Sequence, residues 1–287
     1  MPLASFEHNG RQRWGRMQGD RLYPAPSTGP SSLQAWLDAG MPVQDFGAVE
    51  TLAIADARLL APIPSPRRNI ICLGLNYADH AAEARSVAPG GAEQPEHPMF
   101  FTKATTAVTG PDTDVVLDER VTRRLDWEVE LAVVIGRGGR FIGEDAALDH
   151  VLGYTVLNDL SARDLQKRHG QFFLGKSMDG SAPMGPWIAT ADEISDPHAL
   201  DIRCTVNGVT KQQSNTRNLI FGIPHIIQTL SQVMTLVPGD VIATGTPGGV
   251  GFARDPREYL WPGDEVSCDI AGVGTLRNRI VAPTKEA

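Results

Sequence analysis

Cysteine is scarce in this chain of 287 residues: Cys72, Cys204 and Cys268 stand far apart among apolar or β-branched neighbours. None forms a metal-type pair, so the three read as reduced core residues. Positive charge is short as well, with 26 Lys and Arg against 34 Asp and Glu, a formal net charge of −8. The basic residues are scattered and form no stripe that could neutralise a phosphate backbone, which argues against a nucleic-acid partner. No apolar run approaches the roughly 18 residues needed to span a bilayer, and the opening MPLASFEHNGRQRW lacks the apolar stretch of a secretion signal. The expectation is a soluble cytoplasmic protein with no membrane partner. A repeat of fixed period is also missing, which excludes a solenoid.

Turn formers are plentiful. The 29 glycines and 21 prolines exceed the roughly 34 expected from average usage, and so many turns imply a β-rich chain. The 41% hydrophobic content suffices for one full core with a small appendage. Residues 1–65 read as a small N-terminal domain, the proline-spaced APIPSPRRN as a linker, and 66–287 as the main domain. Within the first part, SLQAWLDAG predicts a helix capped by Ser31 or Ser32 and stopped at Gly40. Asn207-Gly208 predicts a two-residue hairpin turn between strands 201–206 and 209–213. Two further helices are predicted. LSARDLQKRHG has Ser161 as N-cap and Gly170 as stop. IPHIIQTLSQVM has Pro224 in its first turn and Ile226, Ile227, Leu230, Val233 and Met234 on a core face.

The segment LDWEVELAVVIG interrupts an apolar strand with Glu128 and Glu130. A period of two places both carboxylates on one face, opposite Trp127, Val129 and Leu131. A bare E-x-E most often marks a solvated acidic face, but the strand continues as the unbroken apolar run of a buried strand, where unpaired carboxylates are costly. Asp159 ends a second candidate strand at the mouth of a helix, where by itself it reads as a capping residue. Together, Glu128, Glu130 and Asp159 would offer three oxygen donors to a hard divalent ion such as Mg²⁺ or Mn²⁺.

Other segments carry further candidates. In NYADHAAE, His80 and Glu83 share a helix face, so Glu83 can orient the imidazole; an incidental surface contact is the bland alternative. The glycine-rich SVAPGGAEQPEH that follows reads as a mobile loop. Lys176 sits between an aromatic run and a turn-rich stretch, as a snorkelling lysine or as a catalytic ammonium. In DVIATGTPGGVGF a strand delivers Thr246 among Gly245, Gly248, Gly249 and Gly251. There the backbone can approach an anionic ligand or simply turn tightly.

In this order, NYADHAAE, FFTKATTAVTGP, DWEVELAVVIG, GYTVLNDLSARDLQ, FFLGKSMDGSAPMGP and ATGTPGGVG resemble the fumarylacetoacetate hydrolase family over residues 70–281. The resemblance implies an α+β, β-rich fold, a mixed β-sandwich roll, with a small N-terminal domain and a homodimeric assembly. It implies metal ligands at Glu128, Glu130 and Asp159, a lid dyad at His80 and Glu83, and a substrate-contacting lysine at Lys176. Thr246 falls at the substrate-anion contact with Gly245 beside it, and Lys103, Arg163 and Gln166 fall at supporting substrate-side positions. Larger eukaryotic-type members draw a further aspartate ligand from an N-terminal region that has no match here.

The activity so implied is Mg²⁺- or Mn²⁺-dependent hydrolysis of a carbon–carbon bond in a small β-diketo acid of the acylpyruvate or fumarylpyruvate kind. Pyruvate or a related keto acid would be released with a carboxylate. The rivals are oxaloacetate decarboxylation, hydrolysis or isomerisation of a diketo sugar acid or an aromatic ring-cleavage dicarboxylate, and a metal-stabilised binding module without turnover. Segments 85–98 and 252–261 are where substrate choice is expected to lie.

Overall fold

The structure, a computed structural model, describes residues 1–46, 50–87 and 95–284. The expected loop over 86–97 therefore lies largely outside the described residues. Helix is confined, among the described residues, to α1 (Leu33–Asp38), α2 (Ala78–Val87), α3 (Arg163–His169), α4 (Phe173–Lys176) and α5 (Ile223–Val233), together with single 3₁₀ turns. None of these is long and apolar enough to cross a membrane.

Two sheets carry the fold, which is β-rich as expected. The larger runs in spatial order through Leu52–Ala53, Arg21–Pro24, Arg11–Gln18, Leu3–His8, Ala182–Thr190, Val151–Asn158, Val129–Ile135, Val241–Ala243, Ile70–Gly74 and Met99–Lys103. The smaller holds Val209–Asn215, Asp201–Val206, Glu265–Ile270, Gly274–Val281 and Val115–Val116. Leu3 pairs with Ile188 across Leu3–His8 and Ala182–Thr190, so the N-terminal strands extend the larger sheet. The proline-spaced run 61–69 forms neither strand nor helix, yet it buries Ala61 and Ile63.

Val129–Ile135 is the central strand of this arrangement. Its Leu131, Val133 and Ile135 pack with Ile202, Cys204, Val266 and Cys268 of the smaller sheet. Its Ala132 and Val134 face Leu157, Ile188 and the N-terminal Trp14, Trp36 and Leu37. A strand covered on both faces has no polar side to display, which accounts for its continuous apolar run.

Local signals were obeyed where tertiary contacts did not compete. Ser32 caps α1, its Oγ accepting from the Ala35 N–H. Asn207 and Gly208 adopt φ 51° and 76° in the expected hairpin. Two expectations fail. Ser161 does not cap α3: it pairs with Asp126 in a short two-stranded ladder and donates its hydroxyl to the Asp159 carbonyl. The helix therefore starts only at Arg163, with Ala162 as an N-cap that makes no side-chain bond. Val233, placed on the core face of α5, is 75% exposed at the helix end, whereas Ile226, Ile227 and Leu230 are buried. Cys204 and Cys268, distant in sequence, lie directly opposite each other across two strands, both buried and free.

Gln212, on the smaller sheet, ties it to the larger. Its side chain accepts from the Val129 N–H (3.0 Å) and donates to Thr246 Oγ (2.8 Å) and the Pro247 carbonyl (2.9 Å). Gln212→Leu keeps the volume but strands buried backbone groups. Urea unfolding should therefore show a loss of about 2–3 kcal/mol, and an unchanged midpoint would mean that the clamp contributes nothing.

Candidate active site

The three carboxylates meet because two neighbouring strands end together. Val129 pairs with Asn158, the Asn158 side chain accepts from the Glu128 N–H (3.0 Å), and the Asp159 N–H donates to the Glu128 carbonyl (2.8 Å). Asp159 thus lands beside Glu128, and the oxygens of Glu128, Glu130 and Asp159 lie within 4.8 Å of one another, all buried. The local reading of Asp159 as an exposed capping residue gives way to this placement.

Three cations enclose the group. Lys176 Nζ lies 2.6 Å from Glu128 Oε2 and 2.7 Å from Asp159 Oδ2. Lys103 Nζ, fully buried, lies 2.6 Å from Asp159 Oδ1 and donates to the Leu160 carbonyl. The Arg163 guanidinium reaches Glu128 Oε1 at 2.6 Å and Asp126 Oδ2 at 2.8 Å. Burial alone would raise the Glu128 carboxyl, but the charges of Lys176 and Arg163 outweigh it and hold it at about 2. The same carboxylates hold the Lys176 ammonium above its ordinary value despite its burial.

Glu130 is different. It makes no ion pair among the described residues and only accepts from the Gly245 N–H (2.7 Å). Burial, then the Asp159 and Glu128 charges, push its carboxyl well above the usual carboxylate range. With Asp126, four buried carboxylates face three cations, leaving one negative charge in excess. A divalent ion at the carboxylate triad would hold Glu130 ionised and reverse that excess, and oxygen donors are the right chemistry for a hard cation. The residues present therefore fit a divalent metal.

A cavity of about 450 Å³ opens over this group, with His80, Glu128, Arg163, Gln166, Lys176 and Thr246 in its wall. Helix α2 brings in His80, whose Nδ1 lies 3.4 Å from Glu83 Oε2. Glu83 in turn accepts from the Gly249 N–H, and Asp79 from the Ser214 hydroxyl. Gly249 needs its φ of 99°, and a Cβ there would sit 2.1 Å from the Lys211 carbonyl oxygen. Thr246 Oγ donates to the Val129 carbonyl (2.9 Å). Lys103, Gly245, Glu130 and Asp159 do not line the cavity; the first two hold Asp159 and Glu130 respectively.

Asp126 went unremarked in the sequence, although D-x-E-x-E continues the period-two spacing by one more step. Its carboxylate accepts from the Gly251 and Phe252 N–H groups and from Arg163 Nε. It thereby joins the glycine-rich loop to α3. Phe252 completes the link, lying under the Arg163 guanidinium at 4.5 Å and edge-on to the His80 ring.

The sequence family described as "Fumarylacetoacetate (FAA) hydrolase C-terminal" matches residues 69–281. The chain belongs to the fumarylacetoacetate hydrolase family. Among curated relatives, oxaloacetate tautomerase YisK of Bacillus subtilis (strain 168) is 50% identical over 228 residues, 79% of this chain and 74% of the relative. Among solved structures, a fumarylacetoacetate hydrolase from Exiguobacterium antarcticum superposes with a TM-score of 0.87 at 39% identity, covering 99% of this chain and 100% of that one. A 2-hydroxyhepta-2,4-diene-1,7-dioate isomerase from Mycobacterium marinum gives 0.81 at 33% identity over 99% and 100%. The family therefore includes enzymes named for tautomerisation, isomerisation and hydrolysis, which share the fold rather than one reaction.

For this family member, the charge excess at Glu130 sets the sign of a test. The unloaded site favours a proton on Glu130, which an entering cation must displace, so Mn²⁺ affinity should rise with pH. Near 100 times its dissociation constant, Mn²⁺ should add about 2.7 kcal/mol to unfolding stability, and Glu130→Gln should abolish that gain in a thermal melt. Glu128 acts in the opposite sense. Its ionisation stabilises the fold fully above the ordinary value near 4.5 and loses that effect as pH falls towards about 2.

Proposed function

We propose that the protein is a divalent-metal-dependent enzyme that moves a proton on the enol or keto form of a small 2-oxo acid, oxaloacetate or a related 2-oxo dicarboxylate. The observation that carries the reading is the shared cavity. It has an oriented imidazole in one wall and a cation-rich, carboxylate-held floor in the other. The YisK relative, named as an oxaloacetate tautomerase, supports the choice among family reactions.

Glu128, Glu130 and Asp159 would hold the metal. When bound, it supplies positive charge that draws the 2-oxo acid head and eases the appearance of enolate charge. The remaining work falls to side chains. Glu83 accepts a hydrogen bond from the Nδ1–H of His80, which leaves Nε2 as the basic nitrogen. Nε2 removes the proton from carbon-3, the C–H electron pair forms the C2=C3 double bond while the carbonyl π pair moves to the 2-oxygen, and the proton is returned to that oxygen; the reverse order converts enol to keto. Lys176, desolvated and lining the cavity, keeps a full positive charge beside the oxygen that becomes negative. Arg163 and Gln166, joined Nη1 to Oε1 at 3.1 Å, orient the head from the α3 side.

A second reading keeps the expected hydrolysis of an acylpyruvate. The same His80–Glu83 pair could deprotonate a water instead of carbon, and the cavity exceeds a four-carbon acid in room for one. Enol–keto interconversion of oxaloacetate, followed by loss of the enol's ultraviolet absorbance, can be compared with acetylpyruvate cleavage on one Mn²⁺-loaded preparation. Cleavage without tautomerisation would select the hydrolase. His80→Ala should cut the favoured reaction by roughly 10²–10⁴-fold and leave the Mn²⁺-dependent thermal shift intact. Turnover equal to wild type would remove His80 from the chemistry.

A further inference from the structure

The mouth of the cavity is lined by three exposed cations that the reaction does not use: Arg124, Lys167 and Arg257. They come from three separate stretches of chain that backbone hydrogen bonds gather at one place. The Arg163 N–H at the start of α3 donates to the Arg124 carbonyl (3.0 Å), and the Leu260 N–H donates to the Leu125 carbonyl (2.8 Å). The segment carrying Arg257 is thereby held beside Arg124. Lys167 lies one helical turn beyond Arg163, on the same face of α3.

On a chain of net charge −8, such a cluster would ordinarily attract acidic partners from its own surface. Here several of the acids nearby are engaged elsewhere. Asp118 holds Arg120, Glu119 holds Arg123, Asp164 accepts from Thr122, and Glu258 is taken by Lys211. Arg124, Lys167 and Arg257 make no ion pair among the described residues. The same cavity wall also carries Met99, Phe101, Phe172 and Phe252. The wall therefore offers exposed cations to an anionic ligand end together with apolar surface for a carbon chain.

We infer that Arg124 and Arg257, with Lys167, form a recognition rim for the second carboxylate of the substrate. The rim would select 2-oxo acids whose carbon chain ends in a carboxylate over those with a neutral end. The inference rests on the 2-oxo acid reading of the site and names the substrate class within it. It also gives the segment 252–261 a physical role in substrate choice, through Arg257. Guanidinium groups suit the task because their planar donor pairs match a carboxylate in two parallel bonds.

The test compares two acids of equal length, 2-oxoadipate and 2-oxohexanoate, which differ only in the terminal carboxylate. Binding of each to the Mn²⁺-loaded protein is read by calorimetry. Wild type should favour 2-oxoadipate, and the double variant Arg124→Gln/Arg257→Gln should lose roughly fivefold to tenfold of that preference, the range open to exposed ion pairs, while its affinity for 2-oxohexanoate stays put. Arg257→Glu should reduce the preference further. Arg168→Gln removes the same charge from α3 outside the mouth and should leave the preference untouched. No preference in wild type, a preference surviving the double variant, or an equal loss in Arg168→Gln would each overturn the rim. Because the readout is binding, discrimination that persists without any oxaloacetate turnover would sink the tautomerase reading and leave the rim standing.

Discussion

Three carboxylates taken out of water at one point are the constraint around which the site is arranged. Isolated charges in a protein interior cost several kcal/mol each unless paired and hydrogen-bonded, and here the pairing is unequal. Lys176 bridges Glu128 and Asp159, Lys103 secures the far oxygen of Asp159, and Arg163 spans Glu128 and Asp126. Glu130 is left with a backbone N–H alone. The shortfall is local, at the three carboxylates whose oxygens lie close enough to hold one divalent cation.

The same network explains why the cavity wall is so closely tied to the metal-fitting group. Asp126 accepts from the backbone at Gly251 and Phe252 while holding Arg163, so the glycine-rich loop, α3 and the carboxylates share one set of charges. Glu83 accepts from Gly249 in that loop, which couples the His80 dyad to the same frame. A proton carrier must sit within reach of its target in a fixed tautomer. The bond from the Gly249 N–H fixes the Glu83 carboxylate beside His80, which suits the proton-carrying role proposed for that imidazole.

Family members with this frame bear the names of tautomerases, isomerases and hydrolases, a diversity with a physical reading. On the proposed reading, the buried floor would stabilise the enolate charge that such reactions share. On the same reading, the length and ending of the carbon chain would be read at the cavity mouth. Arg124, Lys167 and Arg257 lie there, on surface segments under fewer packing demands than the floor.

The sequence by itself determined the elements whose signals are local. These include the Ser32 cap, the Asn207-Gly208 turn, the apolar run of Val129–Ile135, and the pairing of His80 with Glu83 on one helix face. It also held the two-residue spacing of Glu128 and Glu130, and the resemblance placed Asp159 with them. Only the tertiary structure decided the rest. Ser161 reads as a helix cap until a strand pairing with Asp126 claims its backbone. Asp126 looks like one more acidic residue until Gly251 and Arg163, over a hundred and nearly forty positions away, close on it. The unequal pairing of the carboxylates and the gathering of three cations at the mouth have no local signature, because charge balance belongs to residues that meet in space rather than along the chain.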